Sequence, residues 1–209
     1  MRFDVLTLFP EMFEPLKHSI IERASKQDLI NINLVNIRDF SKDKHKKVDD
    51  TPYGGGAGMV VRPDVVYDAY ESVKTENSKV IFLSPQGKKL DQKKVQSLAK
   101  ESNLILLCGH YEGIDQRVLD AVSRYVDGVL SKDSTKEESF SQGYLEYNQY
   151  TRPEEFLGRK VPEVLQSGNH QNIEKWRNES SLVNTYKKRP DLLSKEDIEK
   201  AKKIMNEID

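Results

Sequence analysis

The chain has 209 residues, room for one ordinary domain plus a smaller one and for a real buried core, and 36% hydrophobic against 32% charged residues excludes disorder of the whole. With 33 Lys+Arg against 34 Asp+Glu the formal net charge is -1, so no bulk positive field exists and any nucleic-acid contact must come from local patches. Cys108 is the only cysteine, which excludes an internal disulfide and a thiolate zinc cluster, and the four histidines have no ligand spacing, so no metal site is expected from the residues themselves. No apolar stretch reaches membrane-spanning length and no leader-like segment opens the chain, which predicts a cytoplasmic protein without membrane contact.

In chain order, RFDVLTL at 2–8 reads as a buried strand. The helix expected over 12–26 places Leu16, Ile20, Ile21 and Ala24 on its inner face. INLVNI at 32–37 is a second strand, followed by a long polar, then glycine-rich loop over 38–58 of the kind that carries function. Pro63 opens a helix with Val65, Val66, Ala69, Tyr70 and Val73 at helical spacing. VIFLS at 80–84 is a third strand, 91–100 a helix, and LILLC at 104–108 a fourth strand. Apolar strands alternating with helices predict an α/β fold, a mostly parallel sheet with helices on both faces and a binding crevice beyond the strands' carboxyl ends.

Ile114, Val118, Val122 and Val126 recur every four positions, predicting one helix over 113–127. SKDSTKEES at 131–139 is charged and apolar-free and reads as a linker. The remainder has short helices and an amphipathic end at 194–208, capped by Ser194 and Asp197. The expected organisation is a first domain over 1–130, a linker over 131–137 and a small, mainly helical domain over 138–209.

PYGGGAGM at 52–59 has four glycines in seven positions; it is not a Walker loop, and by itself a flexible turn and a functional loop are equally good readings. LSPQG at 83–87 and CGHYEG at 108–113 each end an apolar strand and singly are routine strand-to-helix turns. Together they put two glycine-bearing rims at one sheet edge, with Glu112 and Tyr111 as polar and stacking groups for a small ligand. Arg152, Arg159, Arg177, Lys187, Lys188 and Arg189 lie among Tyr150, Trp176 and Tyr186, a mixture that suits single-stranded or looped RNA but by itself reads first as a solvated helix surface.

LFPEMF at 8–13, VDD at 48–50, PYGGG at 52–56, LSPQG at 83–87, GHYEGID at 109–115, YTRP at 150–153, SGNH at 167–170 and RPD at 189–191, in that order, resemble the signature of the bacterial tRNA (guanine-N1)-methyltransferases, the TrmD family. The resemblance implies a SPOUT-like fold with a trefoil knot, a homodimer, S-adenosylmethionine as cofactor, magnesium dependence, and methylation of N1 of guanosine 37 in tRNA. It also implies that Phe82, Leu83, Ser84, Pro85 and Gln86, with Gly109, Tyr111, Glu112 and Gly113, form the first two cofactor loops. Arg124 matches an arginine that steadies charge on the guanine O6, and Glu138 stands where the family has an aspartate as general base.

A second departure is larger. Between Val118 and Leu119 the family carries a further strand, the third cofactor loop and the start of the next helix, and here the flanks are fused. The knot is then expected to be lost or altered, cofactor binding to be weaker than the family norm, and methyl transfer to be small or absent. The alternative is a catalytically impaired relative that acts only as an RNA-binding or structural dimer. A generic nucleotide-binding protein is disfavoured, because neither a Walker loop nor a dinucleotide fingerprint is present.

Overall fold

The computed structural model describes residues 1–122 and 143–208. The first part runs β1 (Arg2–Thr7), a 3₁₀ segment (Pro10–Lys17), α1 (Ser19–Lys26), β2 (Asn31–Asn36), β3 (Asp49–Asp50), β4 (Val60–Val61) and α2 (Pro63–Val73), then β5 (Ser78–Leu83), α3 (Gln92–Leu98), β6 (Asn103–Cys108) and α4 (Gln116–Val122). The second part holds the hairpin β7 (Glu155–Phe156) and β8 (Arg159–Lys160), then α5 (His170–Lys188) and α6 (Lys195–Ile208).

Four strands form one sheet in the order β2-β1-β6-β5, every pairing parallel. Side chains alternate across its faces, as the period of two requires. Leu6, Val80, Ile105 and Leu107 join the large cluster with Val65, Val66 and Ala69 of α2 and Val118 and Val122 of α4. Ile81 and Leu104 face the other way and pack with Leu98 of α3. The α/β architecture expected from the sequence, a parallel sheet covered on both faces with helices following it, is therefore the one observed.

Three local expectations are corrected. The helix expected over 12–26 is two pieces, because Pro15 cannot donate to the ladder and the chain breaks at His18 (extended) and Ser19 (φ 60°), leaving Ile20 71% exposed rather than on an inner face. The long loop over 38–58 contains β3, which pairs antiparallel with β4 through Asp49↔Val61 and Asp50↔Val60. The helix expected from 113 begins at Gln116, because Gly113 (φ 135°) is outside helical space. Residues 123–127 of that helix and the linker over 131–137 lie outside the described residues.

The second part is tied to the first by an ion pair that is shut off from water. Arg117 and Asp115 are 1% and 0% exposed, and the guanidinium meets both carboxylate oxygens, Nε to Oδ1 at 3.0 Å and Nη2 to Oδ2 at 2.9 Å. Arg117 also donates to the carbonyls of Pro153 and Glu154 at 2.7 and 2.8 Å. Asp115 accepts the backbone N–H of Thr151 at 2.6 Å. Arg117→Met leaves Asp115 buried without a cation and is expected to lower the unfolding free energy by about 3–5 kcal/mol. Urea denaturation followed by circular dichroism measures it, and a loss below about 1 kcal/mol would mean that the pair behaves like a surface one.

Candidate functional site

β5 and β6 end side by side, with Leu83 opposite Cys108, so the segments that follow them share one rim. After β5 the chain turns at once: Ser84 is buried, its Oγ accepts the N–H of Gln86 at 3.2 Å and its carbonyl the N–H of Gly87 at 3.1 Å. After β6, Gly109 allows a close approach, because a Cβ there would lie 3.2 Å from the Phe82 ring and the ring would have to give way. The rest of this loop is sewn to β4 by three hydrogen bonds, Glu112 N–H to the Met59 carbonyl, Val61 N–H to the Gly113 carbonyl and Asp115 N–H to the Val61 carbonyl, at 2.9–3.1 Å. Gly58 (φ 76°) lies directly under the Glu112 side chain, where any Cβ would collide. The glycines of both motifs therefore mark a place where three backbone segments converge.

All nine residues singled out at the strand ends, Phe82 to Gln86 with Gly109, Tyr111, Glu112 and Gly113, line one cavity of about 320 Å³. That is near the lower end of the volume range of small-molecule sites, ~300–1,000 Å³. Ile114 and Leu119 add apolar surface, and Glu112 and Glu146 bring carboxylates. A further wall comes from Glu146, Tyr147 and Gln149, which the sequence motifs did not single out. A larger cavity, about 470 Å³, lies between the first 3₁₀ segment, α1 and β2, lined by Phe13, Leu16 and Leu34. It has no motif glycine and none of the nine residues, so the smaller cavity is the candidate site.

Arg124 and Glu138, the two residues to which the resemblance gives catalytic roles, lie outside the described residues. Among the described residues no group of three His, Cys, Asp or Glu is arranged to hold a metal ion, and no helix is long and apolar enough to cross a membrane.

The basic and aromatic residues of the second part divide in two. Tyr150 and Trp176 pack with Tyr53, Val161, Leu165 and Ile173 in a small apolar cluster, so they are core rather than open stacking platforms. Arg177 donates to the carbonyls of Gly54 and Gly55 at 3.1 and 2.5 Å and stacks 4.9 Å from the Tyr147 ring. Arg152 pairs with Asp50 at 2.9 Å. Lys187, Lys188 and Arg159 stay exposed, although Lys188 Nζ also donates to Gln86 Oε1 at 2.8 Å on the cavity rim. The missed signal was spacing: Arg177, Ser180, Asn184 and Lys188 fall three or four residues apart on one face of α5, and from it reach Gly54 and Gly55, Glu146 and Asn148, and Gln86.

Burial sets the proton affinities near the site. Desolvation pushes the Cys108 thiol at the end of β6 from 9.0 up to about 11, and pushes Tyr150 from 10.0 up to about 12.

Comparison with known proteins identifies the pattern. The family model described as tRNA (Guanine-1)-methyltransferase TrmD matches residues 1–121 and 118–195, two stretches that overlap over 118–121, which includes the Val118–Leu119 junction. The chain is 51% identical to a tRNA (guanine-N(1)-)-methyltransferase of Clostridium botulinum strain Langeland over 236 positions, which cover 100% of this chain and 98% of the relative. It is 52% identical over 230 positions to one from Clostridium perfringens strain ATCC 13124, covering 95% and 98%. Because 236 aligned positions face only 209 residues, at least 27 positions of the first relative have no counterpart here.

The shifts of Cys108 and Tyr150 have a common sign. Both groups hold their protons more tightly folded than unfolded, so stability is whole below pH 9.0 and falls as pH rises toward about 11 and 12. Iodoacetamide at pH 8 is expected to label Cys108 far more slowly in native protein than in urea, and Cys108→Ala to flatten the stability loss that begins near pH 9. Equal labelling rates in the two states would show the thiol to be open.

Proposed function

We propose, from the premise that this chain belongs to the tRNA (guanine-1)-methyltransferase TrmD family, that it transfers a methyl group from S-adenosylmethionine to N1 of guanosine 37 in tRNA. The observation that carries the reading is the convergence of all nine strand-end residues on one cavity beyond the carboxyl ends of β5 and β6. S-adenosylmethionine supplies an electrophilic methyl group on a positively charged sulfur. The residues present suit such a ligand: apolar side chains of Phe82, Leu83 and Ile114 for a base, backbone amides bared by Gly109 and Gly113 for the sugar and amino-acid part, and carboxylates for the positive charge.

In this reading Glu138 accepts the N1 proton and Arg124 steadies the negative charge that then builds on the guanine O6, an interaction stronger in the transition state than before it. The longer carboxylate of Glu138, where the family has aspartate, still takes a proton but sets a different reach. Lys187 and Lys188 contribute phosphate contacts. The enzyme works in the cytoplasm as a homodimer.

The absent positions support a second reading, an RNA-binding or structural dimer without turnover. Incubation with methyl-labelled S-adenosylmethionine and a tRNA transcript carrying guanosine 37 separates the two. With the third cofactor loop absent, the expected result is weak label in that transcript and none in an adenosine-37 control, abolished by Glu138→Gln or Arg124→Ala. Unlabelled transcript alongside retained tRNA binding would establish the second reading.

RNA binding has its own check. Reversing charge at Lys187 and Lys188 is expected to weaken tRNA binding by about tenfold or more at 100 mM salt and to flatten its salt dependence, because fewer counterions are released. An unchanged affinity and slope would place the RNA elsewhere. Sedimentation at micromolar concentration tests the dimer, and a monomer alone would remove it from the proposal.

A further inference from the structure

The two glycine-bearing motifs close the cavity on two sides only. Its third side is a strap of chain, residues 145–150, that enters the described structure after the second part has begun. We infer that this strap is the third wall of the methyl-donor site, through the side chains of Glu146, Tyr147 and Gln149, and that in this chain it stands in for the segment absent at the Val118–Leu119 junction. The inference rests on the methyl-donor reading of the cavity.

Three observations carry it. First, the strap lines the same cavity as the strand-end motifs, and so does Leu119, the residue that directly follows the junction. Second, the strap is fixed by its backbone. The Leu145 N–H donates to Thr185 Oγ1 at 2.8 Å, the Glu146 carbonyl accepts Asn184 Nδ2 at 2.9 Å, the Asn148 N–H donates to Ser180 Oγ at 3.2 Å, and the Gln149 carbonyl accepts the Gln116 N–H at 2.8 Å. Third, Arg177 packs against the Tyr147 ring while its Nη2 holds the carbonyls of Gly54 and Gly55. A wall held by backbone on both edges positions its side chains before a ligand arrives, which is what a binding surface needs. Glu146 on this wall and Glu112 on the opposite loop also give the cavity a negative character that suits a sulfonium ion.

Since the anchors are backbone groups, Glu146→Ala and Gln149→Ala remove side chains and leave the strap in place, whereas Asn184→Leu loosens the strap and leaves its side chains intact. Calorimetric titration with S-adenosylmethionine is expected to show each variant weakened about fivefold to tenfold, with circular dichroism unchanged. Glu146→Ala should weaken S-adenosylmethionine more than S-adenosylhomocysteine, because only the former carries positive charge on sulfur. If the unaltered chain binds and all three variants match it within twofold, the strap is not a wall of the site and the inference is overturned while the methyl-donor reading stands. If the unaltered chain binds neither ligand, that reading itself fails and the inference falls with it.

Discussion

The buried pair of Asp115 and Arg117 decides where everything after the junction can go. Two ions with 0% and 1% exposure are costly to desolvate, and the arrangement persists only because nearly every polar atom is used. Asp115 accepts two backbone N–H groups besides the guanidinium, and Arg117 spends its remaining donors on carbonyls between Thr151 and Glu154. The pair therefore fixes the start of α4 and the path of residues 149–154 together. From that fixed point Tyr53 N–H reaches the Tyr150 carbonyl, Gln116 N–H reaches the Gln149 carbonyl, and the strap is carried across the mouth of the cavity. Asp and Arg two residues apart in an apolar setting are ordinary in sequence, and only the closing of a loop over them reveals the role.

Much of the fold is legible because it is written in periodicity. LILLC at 104–108 is apolar on both faces, as a covered parallel strand is, and β6 is one of the two central strands, paired on both sides by β1 and β5. The cavity is legible for a related reason: glycines at strand ends mark backbones that must approach, and Gly58 and Gly109 are spaces filled by Glu112 and Phe82. What is not legible is direction. Interleaved arginines and aromatics read alike whether they face solvent or a neighbouring segment. Thus Arg177, Tyr150 and Trp176, grouped by composition with Lys187, turn inward to a docking seam. The broken first helix escaped for another reason, since apolar spacing continues through Pro15 and Ser19 while the backbone does not.

The junction shows how a shortened chain can keep its core. α4 runs across Val118 and Leu119 without a break, and Val118 and Val122, one turn apart on either side of it, are 0% and 3% exposed in the same cluster. The fusion keeps the phase of the helix, so the residues that follow the join present the same apolar face as those before it. Leu119, a quarter turn round, goes to the cavity. Loss of the family's intervening positions therefore leaves the packing between α4 and α2 in place, and its consequence falls on the site.

α5 then braces both the glycine loop and one wall of the candidate cavity. Arg177, Ser180, Asn184 and Lys188 lie along one side of it, and from that side reach in turn the glycine loop, the strap and the rim at Gln86. The glycine loop and the candidate cavity are thus held by the same helix through different residues. Arg177 spends its guanidinium on this seam and Arg152 pairs with Asp50 while staying largely exposed, whereas Lys187 stands exposed at the carboxyl end of α5. There the helix dipole is negative and favours lysines, so Lys187 and Lys188 also stabilise the last turn of α5, and Lys188 reaches from it to Gln86 on the cavity rim.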